Sequence, residues 1–258
     1  TVTGPVTIGA NAAGSTTLFA ATGGGSFENI NNGGTFGVGG ATGATNVNAA
    51  TADFSGLSSF AVNLGSTGNF RVGDANSNSS GGPVGNSTLI LASATNTITS
   101  GSVNLGQGAG QGSSVQTLSL GAGDNTINTD TINIGGNTTR SGGAINFVSA
   151  TGSVTIRGAD GTSPVTAINM VNGAISTGFN QTSDLLLAGH DADVAVTTLT
   201  MAARSASTGA VTSNLTFDQG TLDITTLNLA SRTGSGTGNA AATATIGGGT
   251  TTIDSLNM

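Results

Sequence analysis

The sequence predicts an all-β protein, a parallel β-helix (β-solenoid) with three strands per coil and about nine coils. Two observations carry that prediction. The first is a fixed period: TLSLGAGDNTINTDTINI, residues 117–134, falls on TLILASATNTITSGSVNL, residues 88–105, after a shift of 29 residues. Leu118 and Leu120 then land on Leu89 and Leu91, Ile127 on Ile98, and Ile132 and Ile134 on Val103 and Leu105. The same shift relates Phe217, Ile224, Leu227 and Leu229 to Ile246, Ile253, Leu256 and Met258. The second is composition. The chain has 44 glycines and only 7% charged residues, yet 36% of it is apolar. Disorder also needs low hydrophobicity, and here Val, Ile, Leu and Phe recur at spacing two, the period of a strand. There is little Glu, Lys or leucine-rich helical periodicity, so no helix is expected.

The chain reads as one solenoid domain over residues 1–258. Residues 1–72 form irregular first coils. Val6-Thr7-Ile8, Phe36-Gly37-Val38 and Val62-Asn63-Leu64 each give a short strand with two inward residues around one outward residue. Six of the nine phenylalanines lie in this part, which predicts a wider or looser core with bulkier filling. Glycine clusters at 23–25, 33–34 and 39–40 mark turns. Residues 73–87, GDANSNSSGGPVGNS, are a polar loop.

From residue 87 to 258 the coils become regular, at about 29 residues each. A first strand carries Leu89/Leu91, Leu118/Leu120, Ile145/Phe147, Leu185/Leu187, Leu215/Phe217 and Ala244/Ile246. The second carries Ile98, Ile127, Val154/Ile156, Val194/Val196, Leu222/Ile224 and Thr251/Ile253. The third carries Val103/Leu105, Ile132/Ile134, Ile168/Met170, Leu199/Met201, Leu227/Leu229 and Leu256/Met258. Length varies mainly after the third strand. The largest exception is RGADGTSPV, an insertion between the second and third strands of one coil. A lone coil buries too few side chains to offset its ordering entropy, so stability must come from its neighbours.

The outward residue of the third strand is Asn63, Asn104, Asn133, Asn169, Asn228 and Asn257, with Thr7, Gly37 and Thr200 as exceptions. Stacking predicts an amide ladder on one face, a stripe that stiffens the rod or a polar surface for lateral packing or a glycan.

These repeats, above all TLSLGAGDNTINTDTINIGG, NLTFDQGTLDITTLNLA and TATIGGGTTTIDSLNM, resemble the bacterial autotransporter-associated β-strand repeat proteins and related haemagglutinin-like passenger β-helices. The resemblance covers about two thirds of the chain, from residue 87 onward. It implies a right-handed parallel β-helix at or beyond the cell surface. An amphipathic C-terminal barrel of the autotransporter kind is not seen in the sequence, which leaves the export route open.

Other chemistry is thinly supplied. The formal charge of −7 comes from twelve acidic residues against five arginines. Without a basic cluster, binding to nucleic acid or an anionic membrane lacks its electrostatic drive. No apolar run approaches the roughly 20 residues of a membrane span. Without cysteine there is neither disulfide nor thiolate site, which fits a secreted bacterial protein. The chain begins at Thr1 without a signal peptide, as a mature form or a fragment would. His190, Asp191 and Asp193 form the one constellation that could be catalytic, since paired carboxylates cleave glycosides. Their setting reads as a capped polar turn instead, and no basic partner stands beside them. Asp124 in GAGDNTI partly matches a calcium-binding nonapeptide, which needs successive copies. Neither metal nor cofactor is expected. An ice-binding threonine face is set aside because the register of Thr197/Thr198 and residues 250–252 is not kept. Acceptor patterns for N-glycosylation at Asn78, Asn86, Asn137, Asn180 and Asn214 read as chance in so Asn- and Thr-rich a chain.

The function expected is therefore a non-enzymatic extracellular fibre, sheath or adhesin stalk, with a carbohydrate-active or glycan-binding β-helix as the alternative. Its partners would be further copies of the chain, or else a glycan or host surface. At the C-terminus the last coil runs in register to Leu256 and Met258. At the N-terminus Val2, Val6 and Ile8 begin a third-type strand without its own first and second. These five residues are the expected end contacts, whether between molecules or to further coils of a longer chain.

Overall fold

The computed structural model describes residues 1–9, 16–39, 49–73, 85–106, 114–136, 141–173, 180–204, 209–234 and 237–258. Among these the fold is all-β with no helix. The chain opens with β1 (Val6–Ile8), β2 (Thr16–Ala20), β3 (Ser26–Ile30), β4 (Thr35–Val38), β5 (Ala49–Asp53), β6 (Ser59–Asn63) and β7 (Asn69–Val72). It continues through β8 (Thr88–Ile90), β9 (Thr95–Leu105), β10 (Val115–Leu120), β11 (Asp124–Ile134), β12 (Gly142–Phe147), β13 (Ser153–Arg157) and β14 (Val165–Gly173). It closes with β15 (Gln181–Leu186), β16 (Asp191–Arg204), β17 (Val211–Phe217), β18 (Gln219–Leu229), β19 (Ala240–Ile246) and β20 (Thr250–Asn257).

Every strand pairs in parallel with the equivalent strand of the next turn. A smaller sheet stacks β2, β5, β8, β10, β12, β15, β17 and β19 in that order. A larger sheet runs from β1 through β4, β7, β9, β11, β13, β16 and β18 to β20, with β3, β6 and β14 alongside. In β9, β11, β16 and β18 one strand bends across a corner. In β11 the inward–outward alternation slips at Asp130 and Thr131, so that Thr129 and then Ile132 point inward. Where the corner opens into a loop, the same course is divided between β3 and β4, β6 and β7, or β13 and β14. The insertion at 157–165 is one such opening.

The solenoid has about seven turns, not nine. Part of the overcount is β1, which stacks on β4 yet brings no strand of the smaller sheet with it.

The inward columns run through the stack as the period requires. Leu89, Leu118, Ile145, Leu185, Leu215 and Ala244 are in register. So are Val103, Ile132, Ile168, Leu199, Leu227 and Leu256. Almost all are buried in one continuous apolar core. One register differs from the expected one: Val194 lies on Ile156, and Val154 lies on Ala192. Val196 instead covers Val165, the last residue of the insertion. The insertion thus shifts the column by one inward position and β14 fills it.

The first turns are packed with aromatic rings. Phe27 stacks on Phe60 at 5.3 Å and Phe36 on Phe70 at 5.1 Å, each pair in register on adjacent turns. Phe54 lies 4.9 Å from both Phe27 and Phe60, and Phe19 lies 5.3 Å from Phe54.

The residue after the third-strand pair is left-handed in turn after turn. It is Gly9, Gly39, Gly73, Gly106 and Gly135, then Val171 (φ +45°), Ala202 (+54°) and Ala230 (+51°). Left-handed backbone is strained for residues with a Cβ, and burial offsets that strain at Val171 and Ala202. With Val211 they make a small second core. A Cβ on Gly135 would stand 3.0 Å from Val171 Cγ2, so the glycine of one turn leaves room for the valine of the next.

Candidate functional site

The amide ladder is the most regular polar feature of the surface. Asn104, Asn133 and Asn169 share one register position, followed by Thr200, Asn228 and Asn257. Asn133 Nδ2 donates to Asn104 Oδ1 at 2.7 Å, and Asn169 Nδ2 to Asn133 Oδ1 at 3.0 Å. Beyond Thr200, Asn228 Nδ2 donates to the Thr200 hydroxyl at 3.3 Å and Asn257 Nδ2 to Asn228 Oδ1 at 2.8 Å. Each amide gives its N–H to the turn before it. Their dipoles therefore point the same way along the rod, an arrangement that strengthens each bond in the chain.

Asn63 is not part of this ladder. It ends β6, where it faces Thr99, and its Oδ1 accepts the N–H of Gly65 at 3.1 Å. The ladder position of that turn belongs to Arg71, which pairs with Gly37 on one side and Asn104 on the other. A Cβ at Gly37 would come 2.8 Å from Arg71 Nε. Gly37 interrupts the ladder because the guanidinium of the next turn occupies its side-chain space. Asn104 reaches past Arg71 to Asn69, donating to its Oδ1 at 2.8 Å.

A second, buried amide pair was not anticipated. Asn96 and Asn125 lie in register, 1% and 2% exposed, at the corner entering the larger sheet. Asn96 Nδ2 donates to Asn125 Oδ1 at 2.9 Å and to Ala92 O, while its Oδ1 accepts the N–H of Ala92. Asn125 repeats these bonds with Gly121 and adds Gly123 O and Ser153 O. The recurrence of Asn at the same place in TNTI and DNTI was the available signal.

His190 is buried, its ring stacked on Phe147 with centroids 3.6 Å apart, and its Nδ1 lies 3.3 Å from Gly152 O. Asp191 is exposed at the start of β16. Asp193 forms an ion pair with Arg157 at 2.5 Å, and Arg157 also donates to Asp193 O and Ile156 O. A basic partner thus exists beside Asp193, but it lies on the turn below and is bound. The same Asp193 breaks an outward threonine column, Thr97, Thr126 and Thr155, that resumes at Thr221 and Thr250.

Asp124 Oδ1 accepts the Ser153 hydroxyl at 2.9 Å, and no group of metal-ligating side chains occurs among the described residues. Asn86 and Asn180 use their Oδ1 atoms on Val115 N and Ala210 N, and Asn214 donates to Asp184. Asn78 and Asn137 lie outside the described residues.

At the N-terminal end Val2 bridges to Asn29 of β3, and Val6 and Ile8 pair with Phe36 and Val38 of β4. These contacts are made within the molecule, and the strands with a bare edge there are β1 and β2, with Leu18 74% exposed. At the other end Leu256 is 50% and Met258 94% exposed. Among the described residues, the exposed large apolar side chains are Val2, Leu18, Phe19, Ile30, Ile246, Leu256, Met258 and, away from the ends, Val148.

A groove of about 680 Å³ lies where the ladder meets the last turns, lined by Thr200, Asn228, Asn257, Arg232 and neighbouring backbone. Compared with family models, curated proteins and solved structures, the chain matches none of them.

Proposed function

We propose that this chain is a non-enzymatic structural rod, a subunit or segment of an extracellular bacterial fibre, sheath or adhesin stalk that stacks end to end. In this reading the solenoid is right-handed, with three strand segments per coil. The observation that carries it is where apolar surface is exposed. Apolar side chains are buried through the middle of the stack and bare on the outermost strands at both ends, where β1, β2, β19 and β20 also present unpaired backbone. Such edges pair readily with another chain unless they are covered. The amide ladder supplies a matching axial component: Asn257 has an Oδ1 facing onward, and a further turn carrying an amide donor would extend the row. The outward resemblance to passenger β-helices supports the extracellular setting.

Electron microscopy of the purified protein tests the proposal. The stack is roughly 30–35 Å tall at about 4.8 Å per turn step, so end-to-end assembly gives rods many times that length and one solenoid wide. Uniform short particles at micromolar concentration would refute it. The groove beside Asn228 and Asn257 favours glycan binding as the second reading, and a glycan-array signal that Asn228→Ala abolishes would select it.

A further inference from the structure

The left-handed corners at Val171, Ala202 and Ala230 lead into a short extra run of parallel pairing. Asn172 faces Ala203, Gly173 faces Arg204, and Arg204 bridges to Arg232. The Arg204 backbone is fixed there on both sides: its N–H donates to Ser231 O at 2.7 Å, and its O accepts Thr233 N–H at 2.9 Å. The residue is only 4% exposed. The guanidinium lies against Gly238, where an added Cβ would stand 2.8 Å from Arg204 Cζ. That glycine keeps the space the guanidinium fills.

Among the described residues, Nε, Nη1 and Nη2 of Arg204 have no hydrogen-bond partner. The other buried polar atoms in that condition are single atoms of Asn29, Asn31 and Thr251; Arg204 contributes three and is the only charged group. Burial, and secondly the positive Arg232, both push its pKa down from the usual arginine value. A guanidinium nevertheless stays protonated in proteins, so this charge is held out of water without a counter-charge. Buried charges are ordinarily paired. Two of the five cationic side chains of an acidic protein converge here, while the ion pair found among the described residues lies elsewhere, at Arg157 and Asp193.

We propose that Arg204 and Arg232 form a binding site for an oxyanion, a carboxylate or a tetrahedral sulfate-type group. The buried fork of Arg204 is its floor and the exposed Arg232 its mouth. Guanidinium suits either ligand, because its planar N–H groups meet two oxygens at once. Arg232, Ser231 and Ala203 also line the groove that runs on to Thr200 and Asn228. A carboxylate carried on a sugar would therefore find amide and hydroxyl partners beyond the charge pair. The site is independent of end-to-end assembly, since Arg204 lies inside the stack.

The test is an arginine side-chain NMR titration of the nitrogen-15-labelled full chain. Sulfate, acetate and glucuronate are added separately at constant ionic strength over chloride. The proposal expects saturable shifts of the Arg204 and Arg232 Nε–H signals, with those of Arg71 and Arg157 unmoved. Sulfate binding tighter than acetate assigns a tetrahedral ligand; acetate and glucuronate binding tighter assigns a carboxylate. Arg204→Met should abolish the response. Arg204→Lys, which keeps the charge and loses the fork, and Arg232→Gln should each weaken binding roughly ten-fold or more. These two carry the test if Arg204→Met does not fold. A uniform, unsaturable drift of all arginine signals, or no shift with any of the three anions, overturns the site.

Discussion

The first two turns and the later ones build the same parallel stack with different interiors. One inward column shows the contrast in a single line: Phe27, Phe60, Asn96, Asn125, Val154, Ala192 and Gly220 all occupy it in register. It passes from rings, through buried amides, to small side chains within one molecule. The backbone ladder fixes which residues face inward and which residue lies above which. It leaves the filling to whatever space the corner of each turn encloses. In the first turns open loops leave room for rings. In β9 and β11 the strand runs unbroken through the corner, and at its start Asn96 and Asn125 bind the backbone directly.

The sharpest way to break this comparison is to remove a ring. Phe60 contacts Phe27, Phe36 and Phe54, and Phe60→Ala should cost about 3–5 kcal/mol. Because each turn leans only on its neighbours, hydrogen exchange should show protection lost in β3 to β7 and retained in β11 to β18. Loss throughout would mean that the two regions unfold as one unit.

Next in size is Asn125→Ala, which removes the side-chain partner of Gly121 N–H, Gly121 O and Ser153 O and one of several bonds to Gly123 O and the Asn96 amide. About 2–3 kcal/mol of destabilisation is expected, each orphaned buried group costing on the order of 1–3 kcal/mol, partly relieved by relaxation. Asn133→Ala, on the outward ladder where water replaces the lost bonds, should cost less than about 1 kcal/mol. Denaturant melts of the two variants, side by side, measure the difference between an interior and a surface amide row.

Smaller again is the effect at the left-handed corners. Ala230 is exposed with φ +51°, so Ala230→Gly should stabilise by about 0.5–1 kcal/mol through relief of strain. Gly106→Ala should destabilise by at least about 1 kcal/mol, since its Cβ would meet Gly142 O at 2.8 Å as well as the left-handed penalty. The pair of melting curves separates a corner that needs glycine from one that merely tolerates alanine.

The smallest effect is in the insertion. Asp160 takes the Ser163 hydroxyl and the N–H groups of Thr162 and Ser163, and these bonds hold its pKa down, from 3.8 to about 2. A depressed carboxylate stabilises its loop fully above the unfolded value of 3.8, and that contribution is lost as pH falls through about 2. A carboxyl NMR titration should find this midpoint, and Asp160→Asn should leave the stack's melting unchanged at neutral pH.

The parallel register was legible because alternation and the 29-residue period report directly on facing and stacking. What the period could not carry lay at corners. Val62-Asn63-Leu64 repeats the tripeptide Val103-Asn104-Leu105, yet in the first Val62 and Asn63 pack under Ile98 and Thr99, and only the second lies at the ladder position. Three residues cannot distinguish two faces that share the same alternation, and the Phe70-Arg71-Val72 segment that holds the true position has no amide. Val196 was misplaced for a related reason: the insertion shifts the register between Ile156 and Val165, where no local motif marks it. Arg204 was invisible because its burial depends on Gly238, a neighbour one turn away.

The central claim is that the bare outermost turns are the working surface of the molecule. Sedimentation velocity measured across a wide range of concentration tests it most directly, on the wild type and on a Leu18→Asp, Met258→Asp variant whose substitutions touch only exposed positions. The account predicts that the wild-type sedimentation coefficient rises with concentration and that the doubly charged variant remains a monomer with an unchanged melting temperature. A wild-type chain that sediments as a single monomeric species at every concentration would contradict it.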